Sequence, residues 1–429
     1  MKVPPEITKH LKKPVAIFGW GVSGRAVAPI VRRLGAHYEV FDQHHEEAKH
    51  DFTEQDAKRV GLVIYSPGFE ENHPWLKRAQ EAECLCLAEI DFAGALWRGA
   101  LIAVTGTNGK TTLTEFLTQS LKAYGVNAVA AGNIGYPISK LIEHHNQHST
   151  VAICEVSSAQ ARSLRYFSPV AVLWTSFAED HLDSHGGIEH YFAAKWNLIH
   201  RMIRPCLIVG KGVAEAAKRY GRTLPVYTKI ISREQGQELI PQDSVFSLYP
   251  QQENYLIVRA FWEQEGFHPD ILEAQARTFR LPKHRLQKIG EHKGIRFWND
   301  SKATNFESVL AALKTFPEPV YWIGGGKSKG GDMDAFVKAL KPNTGKAFLI
   351  GEVSEILHKA LEEEEVNAVV CQSLQDAVLT AVKEAQGACD VLLSPGFASF
   401  DMFENYAHRG TCFEEIVLGL KDGDNPDSI

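Results

Sequence analysis

Short apolar segments alternate with helical patterns along almost the whole of this 429-residue chain. The apolar segments have the length of buried strands, and the segments between them repeat apolar residues at the spacing of one helix face. This alternation is typical of α/β folds, in which helices connect the parallel strands of a sheet. Because the chain is longer than one ordinary domain, we predict three α/β domains, at residues 1–94, 95–281 and 282–429.

The same pattern locates the individual elements. Strands are predicted at residues 15–18, 38–41, 62–65, 101–104, 151–154, 170–174, 206–209, 295–298, 320–323, 347–350, 368–370 and 391–393, and a helix at 25–34. Residues 227–267 instead alternate between polar and apolar side chains, which favours antiparallel edge strands. We therefore expect mostly parallel sheets, with an antiparallel edge in the central domain.

Composition limits the partners of the chain. Hydrophobic residues make up 44% and charged residues 23%, which is ordinary for a protein with sizeable cores. The net charge of -6 argues against nucleic acid or an anionic membrane as partner. No stretch approaches the ~20 apolar residues of a membrane span, and 7 scattered cysteines fit free thiols. We expect a cytoplasmic monomer with small-molecule partners, no nucleic acid and no membrane insertion.

A glycine-rich loop follows the strand predicted at residues 101–104. It consists of Gly106, Thr107, Asn108, Gly109, Lys110, Thr111 and Thr112. Between a strand and a helix, such glycines let backbone N–H groups point at phosphate oxygens, and the helix N-terminus adds positive potential. Lys110 is placed to reach the β- and γ-phosphates, and Thr111 to ligate Mg²⁺. The loop alone predicts ATP or GTP binding with magnesium; a glycine turn without a ligand is the alternative.

Two further side chains follow neighbouring strands and suit a metal ion. Glu155 comes directly after the strand predicted at 151–154, and His181 follows the one predicted at 170–174. Ligands of α/β proteins bind at the carboxyl ends of strands, and a carboxylate and an imidazole suit a divalent ion shared with substrate phosphates. We predict magnesium at Thr111, Glu155 and His181. For the His181 segment, a polar surface loop is the alternative.

The first domain carries a second glycine loop. Its residues are Gly19, Trp20, Gly21, Val22, Ser23 and Gly24. A GxGxxG sequence after a strand, with Asp42 closing the next strand, is typical of a dinucleotide site in a Rossmann-like domain. The same geometry cradles any diphosphate. On these residues alone, an NAD site and a site for another diphosphate are both open.

Further segments, in order along the chain, complete a family pattern. They are Ala131-Gly132-Asn133-Ile134-Gly135, Glu155-Val156-Ser157-Ser158, Glu179-Asp180-His181-Leu182-Asp183, Ala193-Ala194-Lys195, His284-Arg285, Asn299-Asp300-Ser301-Lys302-Ala303-Thr304-Asn305, Gly324-Gly325-Gly326-Lys327 and Ser394-Pro395-Gly396-Phe397-Ala398-Ser399. With the loop at residues 105–112, they resemble the Mur ligases over nearly the whole chain. The resemblance is strongest to members that join D-glutamate to UDP-N-acetylmuramoyl-L-alanine.

This resemblance implies a fold and a reaction. The fold has an N-terminal Rossmann-like domain for the UDP-sugar, a central P-loop ATPase domain, and a C-terminal Rossmann-like domain that contacts ATP and the amino acid. ATP phosphorylates the carboxylate of UDP-N-acetylmuramoyl-L-alanine, and the amine of glutamate attacks the acyl phosphate. The reaction belongs to cytoplasmic synthesis of peptidoglycan precursors.

The resemblance also implies residue roles. The catalytic set is Lys110, Glu155, His181 and Lys195, where Lys195 is carbamylated and helps to hold a second magnesium ion. Contacts to ATP come from the loop and from Arg285, Asp300 and Asn305. The UDP-substrate is held by Gly21, Val22, Ser23, Gly24, Asp42, Ser66, Pro67, Gly68 and Asn133. The amino acid is held by Lys302, Thr304, Lys327, Ser399, Phe400 and Tyr406.

Simpler interpretations exist for several of these residues. Lys195 also fits an exposed lysine on an amphipathic helix. Lys302 fits an ordinary salt bridge, and Phe400 and Tyr406 fit core packing. Carbamylation needs a neutral amine, and burial is what makes a lysine neutral.

Other functions fit parts of the pattern. UDP is preferred to NAD because nothing downstream looks like a hydride-transfer site. The rival enzymes are a related ligase that adds L-glutamate and a folylpolyglutamate synthase-like ligase, and a diphosphate-binding first domain disfavours the latter. A nucleotide-regulated binding protein without ligase activity is the rival from another class.

Overall fold

The computed structural model describes residues 3–70, 72–134, 136–180 and 185–420. Its strands form three sheets, and one sheet lies in each predicted domain. The α/β class with mostly parallel sheets is therefore confirmed. The domain limits themselves stay a prediction.

The first sheet has four parallel strands in the order β2-β1-β3-β4. These are β1 (Val15–Phe18), β2 (Tyr38–Phe41), β3 (Leu62–Tyr65) and β4 (Leu85–Ala88). The helices are α1 (Pro5–His10), α2 (Val22–Arg33), α3 (Glu54–Arg59), α4 (Pro74–Glu81) and α5 (Glu89–Leu96). The first three strands match their predicted bounds, because each is a short, mostly apolar or aromatic run between turn residues.

The second sheet has six parallel strands in the order β10-β9-β8-β5-β7-β6. They are β5 (Ala100–Thr105), β6 (Asn127–Gly132), β7 (Thr150–Glu155), β8 (Ala171–Trp174), β9 (Leu207–Gly210) and β10 (Lys229–Ile231). Its helices are α6 (Lys110–Ala123), α7 (Ile138–His144), α8 (Ser158–Arg162), α9 (Ile188–Arg201), α10 (Lys211–Arg219), α11 (Gln251–Gln264) and α12 (Pro269–Thr278).

Strand order in the second sheet explains where a ligand can bind. From β5 the chain crosses first to β6 on one side and later to β8 on the other side. The direction of winding therefore reverses between β5 and β8. In open α/β sheets, the crevice at the carboxyl ends of such strands is the usual binding place. The glycine loop at residues 106–109 follows β5 and lies at this crevice.

The third sheet has the order β11-β12-β16-β13-β14-β15. Its strands are β11 (Gln287–His292), β12 (Ile295–Asn299), β13 (Val320–Gly325), β14 (Thr344–Ile350), β15 (Ala368–Val370) and β16 (Cys389–Gly396). The helices are α13 (Phe306–Leu313), α14 (Met333–Leu340), α15 (Ser354–Glu363), α16 (Leu374–Glu384) and α17 (Tyr406–Gly419). All pairs are parallel except β11 with β12.

The antiparallel edge predicted for residues 227–267 is wrong. This segment contains the short parallel strand β10 and the 14-residue helix α11. Helix α11 buries Tyr255, Leu256, Ile257, Val258, Ala260, Phe261 and Trp262. Since apolar residues lie on nearly every side of the helix, its sequence has no clear amphipathic period, and burial decides the structure instead.

By internal contacts, the described chain divides into two units. The first unit contains the first and second sheets, which share one apolar core running from Ile7 to Ala217. The second unit contains the third sheet together with residues 178–180, 185–188 and 245–252. The 7 cysteines are free thiols, as predicted. Among the helices that the structure describes, none has the length and apolarity of a membrane span.

Candidate active site

The phosphate loop of the second sheet has a conformation that only glycine allows at two positions. Gly106 has φ of +147° and Gly109 of +86°. A Cβ at Gly106 would lie 2.0 Å from Thr175 Oγ1. Gly109 caps helix α6 and has no side chain to accept its first N–H groups. A helix N-terminus that follows such a loop has the form that the phosphate-loop prediction requires.

Lys110 lies across this loop. Its Nζ donates to the carbonyl oxygens of Gly106, at 2.9 Å, and Thr107, at 2.8 Å. The segment after β8 supports the loop, because the N–H groups of Thr107 and Asn108 donate to the carbonyl and hydroxyl oxygens of Ser176. The lysine charge is thus held over the loop.

A hydroxyl and a carboxylate meet beside the loop. Thr111 Oγ1 donates to Glu155 Oε2 at 2.8 Å, and Asn133 Nδ2 donates to Glu155 Oε1 at 3.2 Å. Glu155 is buried and is the last residue of β7, rather than the residue after it. A hydroxyl and a carboxylate oxygen are ligands that Mg²⁺ prefers, so these two side chains fit a magnesium site. His181 lies outside the described residues.

Lys195 comes to the same loop from helix α9. It is only 1% exposed, so its interpretation as an exposed surface lysine is wrong. Its Nζ donates to the Gly106 carbonyl oxygen at 2.9 Å and lies 4.7 Å from the centroid of the Tyr191 ring. The hydroxyl groups of Tyr191 and Thr107 are 3.2 Å apart. A buried amine beside the phosphate loop suits the predicted carbamate.

Asn254 is a loop neighbour that the sequence prediction missed. It is buried in helix α11, and a Cβ at Gly109 would lie 2.4 Å from its Oδ1. The available signal was an amide directly before the apolar run at residues 255–258. The prediction overlooked it because residues 227–267 were assigned to strands.

The glycine loop of the first sheet is built differently. Its Trp20 N–H donates to Asp42 Oδ2 at 2.7 Å, and the His44 N–H donates to Asp42 Oδ1 at 2.9 Å. Although partial burial opposes it, these two backbone donors lower the pKa of Asp42. A Cβ at Gly24 would lie 1.9 Å from the Gly19 carbonyl oxygen. The loop is therefore held by hydrogen bonds to Asp42 and by the close approach of Gly24 to Gly19.

The other predicted UDP contacts surround this loop. Helix α2 begins at Val22 and its cap, Gly21, provides no side-chain acceptor. Ser23 is half-buried in its first turn, and Pro67 and Gly68 are exposed. Ser66 Oγ lies 3.4 Å from the Gly19 carbonyl oxygen. The structure thus brings the first-domain residues together around one helix N-terminus.

In the second unit, Asp300 follows strand β12 and is buried. Its Oδ1 accepts from the Leu286 N–H at 3.1 Å and its Oδ2 from Ser394 Oγ at 2.8 Å. Burial raises the pKa of Asp300 to about 7, against the effect of both donors and of the Arg285 charge. Arg285, which precedes Leu286 in sequence, is half-buried.

A pocket of about 330 Å³ lies within the second unit. Its lining includes Asp180, Thr304, Asn305, Lys329 and Phe397. Lys329 Nζ donates to Asp180 Oδ1 at 2.6 Å, and Asn305 Nδ2 donates to Asp180 Oδ2 at 3.4 Å. Both donors are thus bonded to the Asp180 carboxylate, and the lining also includes the acidic residues Glu179, Glu307 and Asp332.

The structure brings Lys329, rather than the predicted Lys327, into this pocket. Lys327 is exposed, and its backbone pairs with Ala398. The glycine-rich segment holds two lysines, Lys327 and Lys329, and the sequence pattern alone favoured the first. Of the predicted amino-acid contacts, only Thr304 is in the described lining.

The remaining predicted contacts follow strands β12 and β16. Lys302 Nζ lies 3.7 Å from the centroid of the Tyr406 ring, so a cation–π contact holds it. Ser399 is buried, whereas Phe400 is 71% exposed. The interpretation of Phe400 as a core residue is therefore wrong.

Comparison with known proteins decides the family. Residues 104–235 match the Mur ligase middle domain and residues 284–396 the Mur ligase, glutamate ligase domain. The UDP-N-acetylmuramoylalanine--D-glutamate ligase of Caldanaerobacter subterraneus subsp. tengcongensis is 30% identical, over 96% of this chain and 99% of that protein. The chain belongs to the Mur ligase family.

Two other Mur ligases extend this comparison. The UDP-N-acetylmuramoylalanine--D-glutamate ligase of Chlamydia pneumoniae is 32% identical, over 95% of this chain and 98% of that protein. The crystal structure of UDP-N-acetylmuramate-alanine ligase from Thermotoga maritima superposes with a TM-score of 0.58 at 17% identity, over 95% of this chain and 99% of that one. The family and the fold predicted from the sequence are both confirmed.

The two matched Mur ligase segments contain most of the candidate site. The first includes the phosphate loop, Asn133, Glu155 and Lys195, and the second includes Arg285, Asp300, Thr304, Asn305 and Lys329. The roles of the individual residues stay predictions.

Proposed function

We propose that this Mur ligase joins D-glutamate to UDP-N-acetylmuramoyl-L-alanine in an ATP-dependent reaction of peptidoglycan precursor synthesis. The substrate carboxylate attacks the γ-phosphorus of ATP and releases ADP. The glutamate amine then attacks the carbonyl carbon of the acyl phosphate, releases phosphate and loses a proton. Phosphorylation supplies the leaving group that a free carboxylate lacks.

One observation carries this proposal from the structure: Glu155, Thr111 and Lys195 converge on a glycine loop at the switch point of the second sheet. Thr111 contacts Glu155, and Lys195 contacts the loop carbonyl of Gly106. A buried lysine and a buried carboxylate beside such a loop are groups that can support metal-assisted phosphoryl transfer. The near-full-length relatives with this activity support the choice of substrates.

Each side chain has a role in this scheme. Lys110 and the N–H groups at the N-terminus of α6 bind and orient the ATP phosphates. Thr111, Glu155 and His181 hold magnesium, and carbamylated Lys195 helps to hold a second ion. When bound, the metal ions neutralise the charge that develops on the transferred phosphate. Arg285, Asp300 and Asn305 contribute the ATP contacts of the third sheet.

The UDP-sugar and the amino acid occupy separate sites in this proposal. The diphosphate lies at the N-terminus of α2, with Ser23 as donor, Asp42 near the uridine, Ser66 to Gly68 as the opposite wall, and Asn133 reaching in from the second sheet. For the amino acid we add Lys329 to Lys302, Thr304, Lys327, Ser399, Phe400 and Tyr406, because it lines the pocket with Thr304. The enzyme is expected to act as a monomer in the cytoplasm.

Phosphate release tests the proposal. The purified enzyme is mixed with ATP, Mg²⁺ and UDP-N-acetylmuramoyl-L-alanine, and D-glutamate, L-glutamate and other amino acids are added one at a time. We expect release only when the UDP-substrate and D-glutamate are both present. Phosphate release that does not depend on the UDP-substrate or on the amino acid would overturn the ligase proposal. Release with the UDP-substrate and L-glutamate, but not with D-glutamate, would favour the rival ligase.

A further inference from the structure

Asn133 occupies a fixed position beside the proposed magnesium ligand. Strands β6 and β7 pair in parallel up to Gly132 and Glu155, which are register partners. Immediately after this pair, the Asn133 N–H donates to the Glu155 carbonyl oxygen at 2.9 Å. A Cβ at Gly132, whose φ is +97°, would lie 2.1 Å from the same oxygen. The backbone that carries Asn133 is therefore locked against Glu155.

The Asn133 side chain also contacts the Glu155 carboxylate. Its Nδ2 donates to Oε1 at 3.2 Å, while Thr111 Oγ1 donates to Oε2 at 2.8 Å. Glu155 is only 3% exposed, so water does not supply these hydrogen bonds from outside. The carboxylate is thus held from two sides, and Oε2 is the oxygen that faces the loop.

We propose that Asn133 is a positioning residue for Glu155: it holds Oε1 and so presents Oε2, next to Thr111, to the metal ion. This inference rests on the proposed function, in which Glu155 ligates magnesium. Residues that orient a ligand in this way generally contribute 10- to 100-fold to metal affinity. The role differs from the diphosphate contact proposed above for Asn133.

The two roles are chemically compatible. A side-chain amide has two N–H donors and a carbonyl acceptor. One N–H can hold Glu155 while the rest of the amide faces the UDP-substrate. Asn133 then links the site of the UDP-substrate to the metal site through a single side chain. Substrate binding and metal binding are expected to strengthen each other through it.

Mn²⁺ binding tests this role apart from catalysis. Mn²⁺ is titrated into the full-length protein with a non-hydrolysable ATP analogue and without UDP-substrate, and free Mn²⁺ is followed by electron paramagnetic resonance. We expect Asn133→Ala to weaken Mn²⁺ binding about 10- to 100-fold. Asn127→Ala is the matched control, since Asn127 Nδ2 donates to Thr150 Oγ1 at the other end of the same strand pair. This control is expected to leave Mn²⁺ affinity unchanged.

The outcomes separate this inference from the proposed function. If Asn133→Ala raises only the KM for UDP-substrate and leaves Mn²⁺ affinity unchanged, the positioning role is overturned and the ligase proposal survives. If the wild-type protein with the ATP analogue binds no Mn²⁺, the metal site itself is overturned. Thermal unfolding verifies that the variants fold. If Asn133→Ala does not fold, Asn133→Ser, which keeps a short donor, is used in its place. Partial restoration of Mn²⁺ affinity by the serine supports the role.

Discussion

The two glycine loops of the first unit have the same frame and different chemistry. Both join a parallel strand to a helix whose cap is a glycine without a side-chain acceptor. The loop after β5 gathers Lys110, Thr111, Glu155 and Lys195 around it, whereas the loop after β1 has Asp42 hydrogen-bonded to its own backbone. The frame alone therefore predicts only an anion, and the surrounding side chains determine whether that anion is bound or transferred.

The largest effect is expected from removing the cation of the phosphate loop. Lys110→Ala removes the charge that stabilises the transferring phosphate and is expected to lower kcat on the order of 10²–10³-fold. Steady-state phosphate release measures it. Ser23→Ala, in the loop of the first sheet, is the comparison variant and is expected to raise the KM for UDP-substrate with little change in kcat. If Lys110→Ala and Ser23→Ala lowered kcat equally, the two loops would not differ in function as proposed.

Lys195 should give the next largest effect. Lys195→Ala is expected to lower kcat by about 10²-fold, because it removes a charged group beside the metal site. Short added carboxylates such as acetate or formate are expected to restore part of the activity, since they supply the oxygens of the predicted carbamate. Phosphate release with and without the added acid measures the rescue. A variant with full activity, or one that no carboxylate rescues, would count against carbamylation.

Gly21 and Gly24, in the glycine loop after β1, differ in the space available for a side chain. A Cβ at Gly24 would overlap the Gly19 carbonyl oxygen, whereas a Cβ at Gly21 would meet nothing within 4 Å. We expect Gly24→Ala to lower the free energy of unfolding by about 1–3 kcal/mol and to raise the KM for UDP-substrate. Gly21→Ala creates no overlap but replaces the glycine cap of α2, and is expected to cost less, about 0.5–1 kcal/mol. Urea unfolding of both variants measures the difference.

A smaller effect on stability is expected from the Asp42 carboxylate, which lies at the glycine loop after β1. The folded-state pKa of Asp42 is lowered, so Asp42 stabilises the fold above its unfolded-state pKa, and this contribution is lost as pH falls through the folded-state value. The difference in stability between the wild type and Asp42→Asn should therefore shrink between about pH 6 and about pH 3. Urea unfolding across this range tests it. A difference that grows in acid would contradict the assigned direction.

Much of the fold follows from local sequence, and the failures lie where burial or strand pairing decides the structure. Strands such as Val15–Phe18 and Leu62–Tyr65 are short apolar runs between turn residues, and their bounds matched. Helix α11 was missed because it is buried on nearly all sides, so no period reveals it. Strand β11 was missed because it is a polar edge strand that depends on its pairing with β12.

The candidate site shows a similar division. The loop sequence placed Lys110 and Thr111 correctly in a strand–loop–helix, because that motif is local. Asn254 and Lys329 required the tertiary structure, since one lies on a distant helix and the other is one of two neighbouring lysines. Burial of Lys195 was likewise invisible in its amphipathic segment.

The reaction product tests the central claim most directly. The enzyme is incubated with ATP, Mg²⁺, UDP-N-acetylmuramoyl-L-alanine and isotope-labelled D-glutamate, and the UDP-linked species are separated and identified by mass spectrometry. The account predicts one UDP-linked product carrying the labelled glutamate in amide linkage, formed together with equal amounts of ADP and phosphate. ATP cleavage without label in any UDP-linked species would contradict it.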